Sequence, residues 1–476
     1  MKTNRRVVVV GGGLAGTTAA LDLACRGWDT TLLESRRKLG GAVRSFRRST
    51  EAGELDVDTG QHVFLRCYGE YLTLLYQLGV AHQAPLQPRM DIPVLRPARR
   101  MVRLRSTGRL PAPAHLVPSL LHYDALTVRE RLRAAATMAA LRHVDPDDPR
   151  TDEQTFGRWL RSRGETDASI EALWGLIAVA ALNLPVDDAS LALAARVFRT
   201  ALLERPDAAD VGLPAVPLSD LHDVAARARL RAVGARCVTG ERVRGIEPVD
   251  AAGGGFTVRT DTGEAMADAV VVATPHGQAT ALVPAAACPD RSAWDRLGST
   301  PIVNVHVRYE RPVTSLPFAA AVGSPVQWVF DRTRSGEPGQ HLAVSLSAAD
   351  QVLGMPAGEL VARYERALAE LFPAARATAV LDAFVTREPQ ATFRQTAGTG
   401  VVRPPTRTRL PGLVLAGAWT ATGWPDTMEG AVRSGRAAAR ALAGPGPQTI
   451  GRRQEQPERQ LVDQPENQPE SQRALT

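Results

Sequence analysis

The chain has 476 residues, more than one hydrophobic core usually serves, so we expect two or three substructures. Its 44% apolar content is ordinary for a globular protein, and its net charge of +7 comes almost wholly from arginines spread along the sequence. Because no recognised nucleic-acid module accompanies these arginines, we expect no nucleic-acid partner, and an anionic membrane surface is the more natural one.

The first elements predict a dinucleotide site. The apolar run Val7–Val10 suits a buried parallel strand, and the sequence Gly11-Gly12-Gly13-Leu14-Ala15-Gly16 then opens a helix predicted to end near Arg26. In this G-x-G-x-x-G turn, Gly11 permits the tight turn and Gly13 lets a pyrophosphate approach the helix N-terminus. Gly16 lets the helix pack closely against the strand.

The second predicted strand, residues 30–33, ends in Glu34, 18 residues after Gly16. A carboxylate at this position can accept a hydrogen bond from a ribose 2′-hydroxyl, which argues against a 2′-phosphate. The order of strand, turn, helix, strand and acid therefore predicts a dinucleotide, and leaves NAD and FAD to be separated.

The next segment, Ser35-Arg36-Arg37-Lys38-Leu39-Gly40-Gly41-Ala42-Val43-Arg44-Ser45, resembles the second fingerprint of the flavin amine oxidase and carotenoid desaturase superfamily. In that superfamily a Gly-Gly turn and a nearby arginine pass close to the FAD diphosphate. Many relatives have arginine directly after the glycine pair, where this chain has Ala42 and keeps Arg44. A basic surface turn is the alternative interpretation.

Farther along the chain, the sequence alternates between strand-like and helical patterns. Residues 67–228 are mainly helical in pattern, and Glu171–Leu184 is apolar on all sides, which suits a core helix or the wall of a substrate tunnel. Within the arginine-rich segment 89–144, residues 128–144 predict a basic amphipathic helix, which suits a lipid headgroup boundary or a solvated face. Strands are predicted near 236–238, 256–259, 268–275, 302–307 and 341–346, and a helix near 359–372.

The C-terminal region carries a second likeness to the same superfamily. Residues 413–417 predict a strand, and the loop 418–427 leads into a helix of small residues that ends near Ala443. This resembles the superfamily's C-terminal flavin motif, in which a helix N-terminus faces the pyrimidine end of the isoalloxazine and stabilises negative charge there. Beyond Gly444 the composition changes to Gln, Pro, Glu and Arg, which predicts a disordered tail.

Four segments, 58–64, 301–306, 327–330 and 422–435, are similar to the hydroxysqualene dehydroxylase family, whose members are also called squalene-associated FAD-dependent desaturases. The likeness extends from about Arg6 to Ala443. It implies that FAD is the cofactor and that the reaction replaces the allylic hydroxyl of a C30 isoprenoid, hydroxysqualene, with hydrogen to give squalene in hopanoid biosynthesis. It implies a cytoplasmic enzyme at the inner face of the membrane, with an electron donor and an oligomeric state that the sequence leaves unidentified.

The resemblance also implies an α/β fold. A Rossmann-like FAD-binding domain is expected from the discontinuous segments 1–66, 230–283 and 411–443. A substrate domain of α+β type, an antiparallel sheet plus helices, is expected from residues 67–229 and 284–410. The disordered tail would comprise residues 444–476.

The same resemblance assigns candidate site residues. Those expected to contact FAD are Gly11, Gly13, Leu14, Ala15, Gly16, Glu34, Ser35, Gly40, Gly41, Arg44, Val243, Gly417, Met428 and Ala431. One departure is Ala418, because relatives usually have an acid there that meets the ribityl chain. Loss of that hydrogen bond would weaken FAD binding by roughly 1.5–3 kcal/mol if nothing replaced it.

Candidate catalytic acids are His62, Asp426 and Glu429, since departure of a hydroxyl is helped by a positioned proton donor. His62 is the first choice, and a histidine held by backbone hydrogen bonds is the alternative. For Asp426 and Glu429 the alternative is an ordinary role at a helix N-terminus. His306 could face the flavin or solvent, and Tyr68 could donate a hydrogen bond or simply pack.

Two other classes of function stay open at this point. The same scaffold could desaturate or isomerise a polyene or oxidise an amine, and Ala418 allows a flavin-free isoprenoid carrier.

The cysteines, Cys25, Cys67, Cys237 and Cys288, have no C-x-x-C spacing, which favours reduced thiols and no metal site. No stretch of 18 apolar residues occurs, so membrane contact is expected to be peripheral.

Overall fold

A five-stranded parallel sheet, here called the nucleotide sheet, joins the opening and closing parts of the chain. In the computed structural model, which describes residues 5–50, 53–107, 110–249, 254–334 and 336–444, residues up to Gly444 form one compact unit. The strands in spatial order are Leu413–Leu415, Ala269–Val272, Arg6–Val10, Asp29–Glu34 and Arg236–Thr239, and all four pairings are parallel. The predicted α/β fold is confirmed.

The central strand of this sheet is buried on both faces. Val7 and Val9 pack toward the helices Leu14–Cys25, Ala225–Ala232 and Met428–Ala443. Val8 and Val10 point the other way, as the two-residue period of a strand requires. There they meet a three-stranded antiparallel sheet, whose strands are Val243–Pro248, Phe256–Thr260 and Glu264–Ala267, and the helix His276–Leu282.

A second large sheet, the substrate sheet, has seven strands. In spatial order they are Val380–Thr392, Thr300–Tyr309, Gln340–Leu346, Trp328–Asp331, Phe318–Ala321, Asp91–Leu95 and Val102–Arg105. The sheet is antiparallel as expected except at one pairing, where Phe318–Ala321 runs parallel to Asp91–Leu95. Residues 67–228, expected to be mainly helical, also contribute two strands of this sheet, Asp91–Leu95 and Val102–Arg105.

The two faces of the substrate sheet differ in polarity. Val303, Val305 and Val307 pack in the same core as the helix Ala357–Leu371, which was predicted at 359–372. On the opposite face lie the buried polar residues Asn304, His306 and Arg308. That face is covered by the hairpin Ser45–Thr50 and Gly53–Asp58, as the hydrogen bond from Arg308 to Thr50 shows.

The remaining elements are mostly short helices, and many of those between residues 117 and 203 pack in the hydrophobic core that contains Trp174. The α-helices are Gly69–Leu78, Val117–Leu121, Val128–Leu141, Pro149–Asp152, Phe156–Ser162, Asp167–Ser169, Leu176–Leu182 and Leu191–Phe198. The π-helical turns are Ile170–Gly175, Arg199–Leu203 and Asp220–Val224. The 3-10 turns are Ala81–Gln83, Ala114–Leu116, Arg291–Leu297, Ala349–Gln351 and Pro373–Ala377, and a short antiparallel pair joins Phe64–Leu65 to Val211–Gly212.

The segment predicted as one helix over 171–184 is a π-helical turn followed by an α-helix that ends at Asn183, in the left-handed conformation (φ 52°). Trp174 is fully buried, with its ring 6.1 Å from Phe156 and 5.4 Å from Phe198. This segment is therefore part of a hydrophobic core, which agrees with the core-helix interpretation of its sequence. The predicted tail lies outside the described residues apart from Gly444.

Candidate functional site

The first glycine turn is shaped by close backbone contacts. A Cβ at Gly16 would lie 1.8 Å from the carbonyl oxygen of Gly11, and a Cβ at Gly12 would lie 2.5 Å from the side chain of Leu39. Gly13 is different, because the only atom near an added Cβ is the Cα of Gly41, at 3.9 Å. Gly13 thus borders open space between the two glycine fingerprints.

The helix that follows begins without a side-chain cap. Gly13 is its N-cap residue, no side chain accepts from its first N–H groups, and its first turn contains no acid. The unpaired N–H groups and the positive end of the helix dipole at Leu14 and Ala15 therefore favour an anionic group. A diphosphate fits this arrangement.

Glu34 stands at the end of its strand, where the sequence predicted it. One carboxylate oxygen accepts from the N–H of Gly12 at 2.6 Å, and the other accepts from the N–H of Arg36 at 2.8 Å and from the hydroxyl of Ser35 at 3.2 Å. These contacts fix the acid against the glycine turn. The oxygen that accepts from Gly12 has a second acceptor direction, so a ribose hydroxyl can add to these bonds.

The second glycine turn lies directly beside the first. Gly40 donates its N–H to the carbonyl of Gly12 at 2.8 Å, and Gly40 and Gly41 both have positive φ. Arg36 and Arg44 donate to the carbonyl of Gly41 at 3.3 and 2.7 Å. Burial, and then the neighbouring charge of Arg36, lower the pKa of Arg44. Two cations and an uncapped helix at one opening fit the diphosphate of FAD and favour that interpretation over a surface turn.

The turn 58–62 connects the second fingerprint to the substrate sheet. Thr59 donates its hydroxyl to the carbonyl of Ala42 at 2.7 Å, and Asn304 donates to the carbonyl of Thr59 at 3.5 Å. Asp58 accepts from Ser45 at 2.6 Å and forms a buried ion pair with Arg332 at 2.5 Å. The turn is therefore fixed from both sides.

His62 is oriented by its own turn. Its Nδ1 lies 2.9 Å from the carbonyl oxygen of Gly60, and since a carbonyl only accepts, Nδ1 carries the proton. Nε2 is thereby left as the second, unprotonated nitrogen of the neutral ring. Burial lowers the pKa of His62, against the opposing effects of the Gly60 hydrogen bond and Asp58.

The C-terminal fingerprint, which is the strand, loop and helix of residues 413–443, packs against the element that carries the first glycine turn. The strand Leu413–Leu415 completes the nucleotide sheet, and the helix Met428–Ala443 packs on the helix Leu14–Cys25. The approach is close at Gly435, where a Cβ would lie 2.2 Å from the carbonyl oxygen of Ala15. Met428 and Ala431 occupy the first turn of this helix, and Gly417 donates its N–H to Ser434 at 2.8 Å.

Glu429 and Asp426 have different surroundings. Glu429 is fully buried and accepts from the N–H groups of Tyr71 at 2.9 Å and Glu70 at 3.3 Å, and from Arg433 at 2.7 Å. Glu429 thus stands at the start of its own helix and also accepts from the first N–H groups of a second helix, Gly69–Leu78. Asp426 accepts from the N–H of Phe393 at 2.9 Å, and burial raises its pKa to about 6.

Arg403 organises the loop between Gly417 and Thr427. It is buried and donates to the carbonyls of Ala418 at 2.8 Å, Thr420 at 2.6 Å and Trp424 at 2.8 Å. Burial lowers its pKa to about 10. Ala418 is buried, and the adjoining Gly417 is hydrogen-bonded to the hydroxyls of Ser434 and Thr420.

Three other predicted residues occupy distinct positions. Val243 begins a strand of the small antiparallel sheet, two residues after Glu241, whose N–H bonds to the carbonyl of Glu34. Tyr68 packs edge-on to Trp424 with ring centroids 6.2 Å apart. His306 is buried, and its Nδ1 lies 3.1 Å from Nε2 of His341. The solvent-facing interpretation of His306 is therefore wrong.

Sequence reasoning missed two residues that contact this site. His222 is buried against Gly40, where it lies 3.4 Å from an added Cβ, and its Nε2 is 3.0 Å from the hydroxyl of Tyr71. Burial lowers the pKa of His222 to about 4. The other is Arg403. Neither residue belongs to a motif, so only their burial in the folded chain identifies them.

The described residues contain neither a metal cluster nor a membrane-spanning helix. No group of three or more His, Cys, Asp or Glu side chains in this part of the chain has the arrangement of a metal site. The four cysteines are separate thiols. Across the ranges that the structure covers, every helix is too short or too polar to cross a bilayer.

Comparisons with known proteins agree with this geometry. The profile of the family described as flavin containing amine oxidoreductase matches residues 14–443. Hydroxysqualene dehydroxylase from Sinorhizobium fredii is 29% identical over 91% of this chain and 97% of its own length. A zeta-carotene desaturase from Zea mays is 26% identical over 94% of this chain and 85% of its own. Putrescine oxidase bound to putrescine superposes with a TM-score of 0.68 over 92% of this chain and 99% of its own at 18% identity, which shows the fold alone.

Proposed function

Because the chain belongs to the flavin-containing amine oxidoreductase family, and is an FAD-dependent oxidoreductase, we propose that it reductively removes the allylic hydroxyl of hydroxysqualene to give squalene, in hopanoid biosynthesis. Relatives named hydroxysqualene dehydroxylase support this proposal across nearly the whole chain. Hydroxysqualene and zeta-carotene are both long isoprenoids, so the relatives of either name favour a substrate of that class.

The observation that carries the proposal is the apolar surface that begins immediately after the polar turn. His62 is followed by Val63, Leu65 and Cys67, which pack against the hydrophobic core that contains Trp174. A long hydrocarbon with one hydroxyl group suits this junction, because its chain is stabilised by apolar contacts and its oxygen needs a polar partner.

The reaction requires a proton and a hydride. The substrate R–OH takes up a proton, loses water, and leaves an allylic cation that becomes R–H on gaining a hydride. Reduced FAD, when bound, supplies that hydride, and an external reductant of unidentified nature must restore it. The residues that would hold FAD are those of the two glycine turns, Glu34, Arg36, Arg44 and the start of the helix Met428–Ala443.

We assign the proton transfer to Nε2 of His62. Its Nδ1 proton is engaged by Gly60, so Nε2 is the nitrogen that can carry an exchangeable proton to the leaving oxygen. The lowered pKa makes the protonated ring a stronger acid than free histidine, though a less populated one at neutral pH. Hydride transfer to the cation also needs water excluded, which the apolar residues that follow His62 provide.

The test is anaerobic incubation of the dithionite-reduced holoprotein with hydroxysqualene, followed by mass spectrometry. We expect squalene from the native enzyme, loss of roughly 10²-fold or more in rate for His62→Gln, and no loss for the exposed control His82→Gln. Recovery of unchanged alcohol, or of a more unsaturated hydrocarbon, contradicts the proposal. Full activity of His62→Gln would contradict only the assignment of His62 as the proton donor, and the proposed reaction would stand.

A second candidate is polyene desaturation, favoured by the similarity to zeta-carotene desaturases. The direction of electron flow separates the two reactions, because a desaturase removes two hydrogens from its substrate and reduces the flavin. Oxidised holoprotein incubated with a carotene polyene should then give a product two mass units lighter. Bleaching of the flavin absorbance by the polyene, and not by hydroxysqualene under oxidising conditions, would support this candidate.

A further inference from the structure

We propose that one surface of the helical region docks on a bilayer that contains anionic lipid, at the inner face of the cell membrane. This docking surface consists of the turn 96–101, Leu110, the helix Val117–Leu121 and the first half of the helix Val128–Leu141. The inference rests on the proposed function in one respect only, which is that a water-insoluble substrate has to come from a membrane.

Large apolar side chains are exposed together on this surface. Of fourteen exposed large hydrophobic residues among those described, six belong to it: Met101, Leu110, Val117, Leu121, Val128 and Leu132. Val128 and Leu132 are 67% and 66% exposed. Scattered single residues of this kind need no explanation, whereas a group of them marks an interaction site.

The helix Val128–Leu141 has an apolar outward face. Its buried positions are Ala134, Thr137 and Leu141, and the exposed positions on the other side include Val128, Leu132, Ala135, Ala136 and Ala139. A helix that rests on a protein in water normally presents polar residues outward. This one presents an apolar stripe, as a helix does when it lies in the boundary of a bilayer.

Hydrogen bonds hold the parts of the surface side by side. Arg131 donates to the carbonyls of Leu121 and Leu126, which fixes the second helix to the first. Arg96 donates to Asp124 and to the carbonyl of Arg100, which fixes the turn 96–101 to the loop between the two helices. The turn 96–101 and the two helices are therefore neighbours, and their exposed apolar residues lie on adjoining segments.

Charge identifies an anionic partner. Arg99, Arg100, Arg129 and Arg142 are exposed and form no ion pair among the described residues. Of the acids in these segments, Asp124 pairs with Arg96 and Asp91 pairs with Arg103 and Arg105, while Glu130 accepts hydrogen bonds from Thr127 and Thr166. An apolar area bordered by uncompensated arginines fits the headgroup region of an anionic bilayer.

The surface lies directly over the hydrophobic core of the helical region. Tyr123 donates its hydroxyl to the carbonyl of Ala172 at 2.7 Å, and Leu116, Leu120 and Met138 pack against the core that contains Trp174. A lipid leaving the bilayer at this surface would thus reach apolar side chains without crossing water. This position links docking to substrate entry.

The first test is co-sedimentation of the holoprotein with vesicles of equimolar phosphatidylcholine and phosphatidylglycerol, and with vesicles of phosphatidylcholine alone. We expect binding to the anionic vesicles that weakens as salt is raised. Arg99→Ala combined with Arg100→Ala should weaken it by about 25-fold, at about fivefold for each arginine. The matched control is Arg229→Ala combined with Arg231→Ala, two exposed arginines of another helix.

The apolar contribution is tested with Leu121→Ser combined with Leu132→Ser. The matched control is Val380→Ser combined with Leu381→Ser, which are exposed on a strand of the substrate sheet. We expect the first pair to lose binding and the control to retain it, with both folded by circular dichroism. Equal binding by all variants, or no binding to either vesicle, overturns the proposal. Concentration-dependent dimers that Leu121→Ser and Leu132→Ser abolish would overturn it in favour of a protein partner.

Activity separates this inference from the proposed function. Variants of the docking surface should turn over detergent-solubilised hydroxysqualene at the native rate and vesicle-embedded hydroxysqualene more slowly. Vesicle binding without any dehydroxylation would leave docking correct and the proposed reaction wrong. Equal rates on both forms of substrate would contradict a role for docking in substrate entry.

Discussion

The side-chain oxygen of Gln395 accepts a hydrogen bond of 2.8 Å from the backbone N–H of Asp426. The same amide donates from Nε2 to the carbonyl of Leu182 at 2.8 Å, so one buried side chain joins the end of a core helix to the C-terminal fingerprint loop. The core helix Leu176–Leu182 and the loop proposed for the flavin are thereby held at a fixed separation.

Replacing Gln395 should loosen this connection. Gln395→Leu leaves a buried carbonyl and a buried N–H without partners, and we expect it to lower the free energy of unfolding by about 2–4 kcal/mol. Gln395→Glu keeps the acceptor for Asp426 and loses the donor to Leu182. Urea denaturation of the two variants, with flavin absorbance per protein measured alongside, checks both effects. Native stability for Gln395→Leu would contradict the structural role.

Gly13→Ala and Gly16→Ala should have opposite consequences. At Gly13, with φ of −72°, a methyl group meets only the Cα of Gly41 at 3.9 Å, so the protein should keep its stability within about 1 kcal/mol. The methyl would fill the opening proposed for the diphosphate, and FAD should bind at least about tenfold more weakly. Titration of the apoprotein with FAD, followed by flavin fluorescence, measures this.

At Gly16 the methyl would lie 1.8 Å from the carbonyl oxygen of Gly11. The helix and strand must then separate, and we expect stability to fall by more than about 3 kcal/mol. Thermal unfolding of the apoprotein, where FAD cannot compensate, is the measurement. Tight FAD binding by Gly13→Ala would show that the diphosphate lies elsewhere.

Arg403→Met should disrupt the C-terminal fingerprint loop. The substitution keeps an apolar stem but leaves several buried carbonyls unpaired, so we expect a loss of about 3 kcal/mol or more in stability. We also expect FAD to be lost on gel filtration, because the loop leads into the helix Met428–Ala443. Exposed Arg407→Met is the control and should retain both stability and flavin. Retention of FAD by Arg403→Met would contradict a positioning role.

The raised pKa of Asp426 should make the stability of the protein depend on pH. Its folded pKa of about 6 lies above the unfolded value of about 3.9, so its carboxyl contributes stability below about pH 4 that is lost as the pH rises through about 6. The stability difference between native protein and Asp426→Asn should therefore change by roughly 2–3 kcal/mol between pH 4 and 7.

The difference must be used because His62 and His222 act in the opposite direction. Burial lowers the pKa of both histidines. Their contribution to the free energy of unfolding is therefore lost as the pH falls below about 6.5. Urea denaturation of both proteins across this range is the measurement. A constant difference between them would show that the Asp426 carboxyl is ionised throughout.

The nucleotide sheet was largely predictable because its signals are local. The four valines of the first strand and the glycines after them specify strand, turn and helix within a dozen residues, and the helix predicted to end at Arg26 ends at Cys25. The closing strand Leu413–Leu415 was recognisable from its own apolar run and the loop that follows it. Its neighbour in the sheet, Ala269–Val272, was recognised in the same way.

Other features depend on contacts distant in sequence. The strand Asp91–Leu95 contains a proline, and its partner Phe318–Ala321 lies more than two hundred residues later, so nothing local distinguishes it from its helical surroundings. The candidate roles of Arg403 and His222 also depend on distant parts of the chain. Folding brings each residue to its hydrogen-bond partners, and burial lowers the pKa of each. A residue outside any motif acquires such a role only in the folded chain.

The close approach of Gly435 to Ala15 has a consequence for biosynthesis. A ribosome must translate nearly the entire message before the first helix acquires its neighbour and the nucleotide sheet its last strand. FAD should accordingly bind only after translation. Nascent chains stalled before residue 413 should show no bound-flavin absorbance even when FAD is abundant.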